Sequence, residues 1–414
     1  MMHRPGQGVA HAAINAATVD FLLSPTGQAA AQALQQADLR EHQTLSLLTE
    51  LRRDFSAAEA GALLTLARLR RRAAIKFPQA EALFFTAEAL EQATAWPIAY
   101  HRATWIATQA PPGVVLDLGC GIGGDTLALA MHRPVIAVDS DPLRLRLAQA
   151  NAAALGLTQQ IEFRLGDWTE WLMAGQLPAA VAAFADPARR VDGRRIFRAE
   201  GLQPPLSMLL RLQAALPHVG VKVMPGIQDD EIPAHAGVEF ISHAGICKEA
   251  VLWFGTLAQQ RRWATVETAA GWQHHEADEA EAPPLGPIIS GGYLHEPDPA
   301  VIRAGGFGVL CRALGGHLFD PQIAYIVAEQ AYTHPLVQSF QIWEVHPFQL
   351  KLLNQRLQAL AIQTVELKKR GMPIEPETLR PRLKLAKQGQ AGVVILTRQG
   401  DQRLMLIGQR LGNT

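Results

Sequence analysis

VVLDLGCGIGGDTLALA, residues 114 to 130, reads as a buried strand, a glycine-rich turn and a helix of small and aliphatic residues. Val114, Val115 and Leu116 supply the apolar run, and Asp117 stands two places before Gly119. Gly119, Gly121, Gly123 and Gly124 let the backbone turn tightly and approach a ligand closely, as residues without a Cβ can. The helix that follows offers its free N–H groups to something polar. Gly119-x-Gly121-x-x-Gly124, with Asp139 twenty residues beyond the first glycine, also fits a dinucleotide fingerprint. Glycine turns occur for purely structural reasons as well.

Three further features decide between these readings. Asp117 at a strand end suits the ammonium of an amino acid better than a pyrophosphate, which a carboxylate repels. The second strand, VIAVDSDP (135 to 142), ends in Asp139, placed to accept from a ribose diol. The third, IEFRLGDW (161 to 168), ends in Asp167, placed to accept from an adenine amino group. With a fourth strand, VAAFADPARR (181 to 190), the series resembles a class I S-adenosylmethionine-dependent methyltransferase. The resemblance implies an α/β fold with a seven-stranded Rossmann-like methyltransferase sheet, and S-adenosylmethionine as cofactor. It places the cofactor on Asp117, Gly119, Cys120 and Gly121, on Asp139 and Ser140, and on Asp167 and Trp168.

Over residues 76 to 410 the chain resembles a bacterial group of these methyltransferases that end in a THUMP-like domain. The resemblance rests on LDLGCGIGGD, on ADPARR followed by GRRIF, on MPGI, on EPDPAVIRAG, and on the tail WEV…ELKKRG…LRPRLKL…ILTR. Four segments are expected: a helical region over 1–105, the methyltransferase domain over 106–285, a connecting segment with one or two short helices over 286–336, and the small α/β THUMP-like domain over 337–414. THUMP domains occur in RNA-modifying enzymes, so structured RNA is the implied partner.

Composition narrows the classes. The chain has 414 residues, 48% hydrophobic and 18% charged, enough for more than one domain with a sizeable core. No apolar run approaches the ~20 residues of a membrane span, and no secretory layout opens the chain. Cys120, Cys247 and Cys311 are far apart and odd in number, which suggests neither a disulfide framework nor a zinc site, and a reducing cytoplasm is the expected compartment. Net charge is zero, but from Val337 onward twelve Lys or Arg face five Asp or Glu, a net of +7 that leaves −7 elsewhere. Such asymmetry points to a polyanionic partner.

Within the helical region, Ser24-Pro25 reads as an N-cap with proline at the first helical position, and Ser56 with Glu59 as a capping box. Arg68, Arg70, Arg71, Arg72 and Lys76 make a basic helix end, either a solvated face or a nucleic-acid contact. Thr86, Gln92, Thr94, His101 and Arg102 are polar residues approaching the ligand turn, for most of which packing or capping is expected. His274 and His275, in an acidic stretch ending in prolines, read as a solvated loop rather than a metal site.

The loop after the fourth strand faces the transferable methyl in seven-stranded methyltransferases. Here it is Asp186-Pro187-Ala188-Arg189-Arg190, with Asp186 and Pro187 as the catalytic candidates. Enzymes acting on exocyclic base amines often carry Asn/Asp-Pro-Pro-aromatic there; this chain lacks the second proline and the aromatic. Arg189, Arg190, Arg194 and Arg195 are candidates to hold phosphate or stack on a base, and Lys368, Lys369 and Arg370 to grip RNA. Cys247 lacks an accompanying base motif, so it reads as a buried thiol rather than a nucleophile. The expected function is RNA methylation at a base nitrogen by direct displacement, with no metal. The alternatives are a cofactor-binding RNA-binding protein without turnover, and a methyltransferase of small molecules or proteins.

Overall fold

A computed structural model describes residues 14–188, 190–191, 194–195, 198–278 and 280–412, with the main chain alone at 190–191 and 194–195. The chain forms two compact units. The first comprises Met1–Val223, Gln228–Ala236 and Leu252–Gln259; the second comprises Met224–Ile227, Gly237–Val251 and Gln260–Thr414.

In the first unit, β1 (Val115–Leu118), β2 (Val135–Asp139), β3 (Ile161–Leu165), β4 (Ala182–Ala185) and β7 (Val219–Val223) form a parallel sheet in the order β3-β2-β1-β4-β7. Two-residue strands β5 (Arg190–Val191) and β6 (Arg194–Arg195) pair with each other in the loop after β4. Strands covered on both faces need near-continuous apolar sequence, and every residue of β1, β2, β4 and β7 is buried. A charged residue within such a strand is buried with it, which is what brings Asp117, Asp139 and Lys222 inside.

The helical region shares the core of this unit. Ser56 and Glu59 form the expected capping box, Ser24 caps the helix that starts at Pro25, and the helix Ala57–Ala73 buries Leu63, Leu66 and Leu69. That core continues through Phe77, Phe84 and Phe85 to Ile122 in the glycine turn and Leu147 in the helix after β2. Asn151 fastens the two parts. Its Oδ1 accepts from Phe84 N–H at 2.7 Å, and its Nδ2 donates to the carbonyls of Phe84 and Ile122 at 3.2 and 2.9 Å. Most of the basic helix end is bonded to the protein's own oxygen atoms. Arg70 donates to Leu83 O, Arg71 to Gln35 O and Ala37 O, Arg68 to Thr44 Oγ1, and Lys76 Nζ to Leu90 O and Ala93 O. These four side chains are therefore held by the protein itself, which is neither the solvated face nor the nucleic-acid contact expected.

In the second unit, β8 (Gly237–His243) runs parallel to β10 (Arg262–Thr268), which pairs antiparallel with β11 (Gly271–Glu276). The last two residues of β9 (Ile246–Trp253) belong to the first unit, where Phe254 N–H donates to Val219 O. Within this unit the strand order is β9-β8-β10-β11. His274 and His275 lie on β11 rather than in a loop. Pairing with the mostly buried β10 satisfies their backbone, and His275 is itself buried against Gly305 O.

The second unit also holds a seven-stranded sheet in the order β13-β14-β12-β15-β18-β17-β16. Its strands are β12 (Tyr293–Pro297), β13 (His317–Leu318), β14 (Ile326–Ala328), β15 (Val337–Pro347), β16 (Ile362–Lys369), β17 (Gln390–Gln399) and β18 (Gln402–Arg410). Residues 286–336 are therefore more than a connector. Besides the helices Pro299–Ala304 and Phe307–Ala313 they supply three strands, and β12 pairs directly with β15. Leu294 is fully buried in one core of this sheet with Tyr325 and Phe340; Leu353 and Leu357 of the helix Leu350–Ala359 fill the other. The β17–β18 hairpin turns at Gly400-Asp401. Among the described residues no helix is long and apolar enough to cross a membrane.

Candidate active site

Asp117, at the third position of β1, is 1% exposed. Its Oδ2 accepts from Thr126 Oγ1. Burial, and then the nearby charges of Asp125 and Asp186, push its carboxyl well above the usual carboxylate range. The turn that follows is anchored on β2: the N–H groups of Gly119 and Cys120 both donate to Val138 O, at 2.9 and 3.0 Å. Gly121 donates to Asp139 Oδ2 at 2.7 Å, and Asp139 Oδ1 accepts from Asp141 N–H at 2.9 Å. Gly121 has φ +57°, and a Cβ there would meet nothing within 4 Å. Gly119 has φ +84°, and its Cβ would stand 3.6 Å from Asp186 O. The backbone thus borders open space where a side chain would otherwise project.

That space is a cavity of about 430 Å³. Its wall includes Asp117, Gly119, Cys120, Gly121 and Asp125 from the turn and the helix after it, Gln92 and Thr94 from before β1, Asp186 and Pro187 after β4, and Lys222 from β7. Lys222 is 3% exposed. Its Nζ donates to Asp186 Oδ2 at 2.6 Å and to Thr94 Oγ1 at 2.9 Å. Asp125 pairs with the buried Arg102, whose guanidinium lies 4.6 Å above the centre of the Phe184 ring. Four acidic side chains, Glu91, Asp117, Asp125 and Asp186, therefore line the cavity against two cations on its wall, Lys222 and Arg144, with Arg102 recessed behind Asp125. A cationic ligand suits that balance, because it would relieve the buried acid of Asp117.

The comparisons with known proteins meet this geometry. An uncharacterised S-adenosylmethionine-dependent methyltransferase of Mycobacterium tuberculosis H37Rv is 34% identical over 344 residues, 79% of this chain and 90% of its own. This chain belongs to the S-adenosylmethionine-dependent methyltransferases. Within this methyltransferase, residues 112–188 match the profile of the RNA cap guanine-N2 methyltransferase family, and residues 337–410 that of the THUMP domain-like family. Residues 15–73 match DUF8688, a domain of unknown function. The release factor glutamine methyltransferase of Cereibacter sphaeroides is 45% identical over 65 residues, 15% of this chain and 23% of its own. A crystal structure of a proposed methyltransferase from Porphyromonas gingivalis W83 shares the fold. It has a TM-score of 0.72 at 20% identity, over 90% of this chain and 99% of that one.

The methyl donor of this family is S-adenosylmethionine, and the cavity fits it. Open space at Gly121 admits a ligand to the backbone, and the acidic wall matches a ligand with an ammonium and a sulfonium. Not every expected residue reaches the cavity. Among the described residues, Asp139, Ser140, Asp167 and Trp168 are not part of its wall. Asp139 is buried behind the turn and braces it. Asp167 is exposed and caps the helix Trp168–Met173, accepting from Thr169 N–H at 2.8 Å and Thr169 Oγ1 at 2.6 Å. Trp168 is buried and Ser140 exposed. Of the polar residues ahead of β1, Gln92 and Thr94 line the cavity, whereas Thr86 caps the helix Ala87–Gln92.

Arg189 lies outside the described residues, as do the side chains of Arg190, Arg194 and Arg195. Lys368, Lys369 and Arg370 are not free cations. Lys368 pairs with Glu296, Arg370 with Glu296 at 3.4 Å, and Lys369 with Glu375. Arg370 also sits 5.0 Å over the Tyr325 ring. By contrast Arg382, Lys384 and Lys387 are exposed and have no carboxylate partner among the described residues. Cys247, in the second unit, is a free thiol pushed up to about 12 by burial, so it is protonated at neutral pH. The residue that sequence reasoning missed is Lys222. Its signal was a lone lysine in the otherwise apolar run GVKVMPGI.

Proposed function

We propose that this methyltransferase acts on RNA and methylates a base nitrogen by direct displacement. The observation that carries the reading is that Asp186 and Pro187 lie on the wall of the same cavity as Gly119 and Gly121. Acceptor and methyl donor would then meet within one enclosed space, where alignment supplies most of the rate. S-adenosylmethionine, when bound, supplies an electrophilic methyl on a sulfonium that departs as a neutral thioether. Asp186 Oδ2 is held by Lys222, and Asp186 Oδ1, without a partner among the described residues, would accept an N–H of the acceptor. That contact aims the nitrogen lone pair and gives the lost proton a place to go.

For the cofactor we assign Asp117, Gly119, Cys120 and Gly121 to the amino-acid end. Asp139 and Ser140 are assigned to the ribose, and Asp167 and Trp168 to the adenine. Each Asp139 oxygen keeps a second lone pair beyond the N–H it now accepts. RNA is supported by the family match at 112–188, by the THUMP domain-like match, and by the exposed Arg382, Lys384 and Lys387. A second reading, methylation of a protein glutamine amide, has the local likeness to release factor glutamine methyltransferase in its favour.

The test is incubation with methyl-labelled S-adenosylmethionine and total RNA or ribosome-free protein extract, both from cells lacking the gene. Label in an N-methylated base after digestion is the expected result. Label confined to protein would replace RNA by the glutamine reading, and no label in either would leave a binding protein.

A further inference from the structure

A lysine inside a fully buried strand needs a reason, since an ammonium taken out of water is costly unless it is well paired. Lys222 has two of its three hydrogens placed, one on Asp186 Oδ2 at 2.6 Å and one on Thr94 Oγ1 at 2.9 Å. No partner for the third occurs among the described residues, and all three side chains line the cavity. A purely structural ion pair would close both groups away, but the Asp186 side chain is 28% exposed beside a lysine at 4%. The pair therefore faces the cavity with one donor, the third Lys222 N–H, next to one acceptor, Asp186 Oδ1.

We propose that Lys222 is a positioning residue for the methyl acceptor. It fixes Asp186 and donates to the atom beside the nitrogen being methylated. This rests on the RNA reading above and narrows it to a chemical class. The target nitrogen must carry an N–H for Asp186 and stand next to a ring nitrogen or carbonyl that accepts from Lys222. N2 of guanine beside N3, N6 of adenine beside N1, N4 of cytosine beside N3, and N3 of uracil beside a carbonyl satisfy this. N1 of adenine and N7 of guanine do not, because neither carries a hydrogen in the neutral base. Ring carbons and ribose oxygens fail for the same want of an N–H.

The experiment compares wild type, Lys222→Met, Lys222→Arg and Lys222→Met/Asp186→Asn on total RNA from cells lacking the gene. It follows kcat, KM for RNA, cofactor affinity by calorimetry, and the methylated nucleoside by mass spectrometry. Misplacement near the reacting atoms costs on the order of 100-fold. Lys222→Met is therefore expected to lose about that much in kcat with cofactor affinity within about two-fold, and Lys222→Arg to recover part of it. The double variant removes both charges, so it should fold even where Lys222→Met does not, bind cofactor within about two-fold of wild type, and remain as slow as the single variant.

Wild-type turnover in Lys222→Met would overturn the proposal. So would a loss matched by an equal loss of cofactor affinity, or a double variant that regains wild-type turnover. A wild-type product methylated at N1 of adenine, N7 of guanine, a ring carbon or a ribose oxygen would overturn it too, while leaving RNA as the substrate. A wild type that labels no RNA would fail the RNA reading itself, and this inference with it.

Discussion

Asp117 is held protonated by burial in a cavity whose expected ligand is cationic. A bound cation favours the carboxylate, so binding should expel the proton, and affinity should rise with pH until Asp117 is ionised in the free protein. Calorimetric titration at neutral pH in buffers of different ionisation enthalpy should report proton release, and Asp117→Asn should abolish its Asp117 share. The same shift bears on stability with a definite sign. Between the ordinary carboxylate range and the raised folded value, the folded chain holds a proton that the unfolded chain does not. Asp117's contribution to ligand-free stability therefore falls as pH rises through that window. At Gly121 an alanine methyl has room but must adopt φ +57°, which costs roughly 1–2 kcal/mol, and it would stand in the ligand's space. Gly121→Ala should keep the fold and weaken the cofactor; unchanged affinity would count against the assignment of this turn. Cys247→Ala should turn over at the wild-type rate while Asp186→Ala loses most of it, since a thiol with a pKa near 12 is no nucleophile at neutral pH.

Elements that follow from local rules were legible. Strand, glycine turn and helix at 114–130, the Ser24 cap and the Ser56 capping box each depend on residues close in sequence. What was not legible depends on distant partners. The polar run around His274 becomes a strand only because β10 lies beside it, and residues 286–336 read as a connector because β12 finds its partner more than forty positions later in β15. Within the site, Asp117 and Asp186 could be picked from motifs, but Lys222 meets Asp186 through the β4–β7 pairing, which no spacing announces. Asn151 is a comparable long-range element. Asn151→Ala would leave Phe84 N–H and the carbonyls of Phe84 and Ile122 without their buried partner, at about 1–3 kcal/mol for each unpaired group. A lowered denaturation midpoint together with weakened cofactor binding is expected, because the turn carrying Ile122 loses its tie to the helical region. A midpoint within error of wild type would refute that account.

At the scale of the whole chain, the twelve cations beyond Val337 are partly spent on internal pairs, with Glu366 and Glu375 of the same segment and with Glu296 before it. The exposed cations there without a carboxylate partner among the described residues are Lys351, Arg380, Arg382, Lys384, Lys387 and Arg403, of which Arg382, Lys384 and Lys387 lie close together in sequence. Reversing all three should weaken RNA binding and flatten its salt dependence by roughly 2 in the log–log slope, at roughly 0.7 per phosphate contact on single strands. Reversal at Lys368 and Arg370 should instead destabilise the second unit, as each loses Glu296 and an aromatic face. Filter binding across a salt series and thermal denaturation separate the two outcomes. A cut at residue 336 would not release a clean module either. It removes four of the seven strands of the second sheet and strips β12 of its neighbour β15, so the fragment should aggregate rather than unfold cooperatively.

The interleaving of the two units has a further consequence, in the order of synthesis. The first unit contains Met1–Val223 but also Gln228–Ala236 and Leu252–Gln259. A growing chain that has exposed the glycine turn, Asp186 and Lys222 still lacks the segment whose Phe254 N–H closes onto Val219 beside them. Until residue 259 has cleared the exit tunnel, the sheet of the first unit therefore keeps an open edge at β7. Stalled nascent chains exposing only up to residue 223 should be degraded by a trace of protease, and those exposed past residue 259 should begin to resist it. Substitutions in Leu252–Gln259 would then lower the yield of the enzyme long before they touched its catalysis.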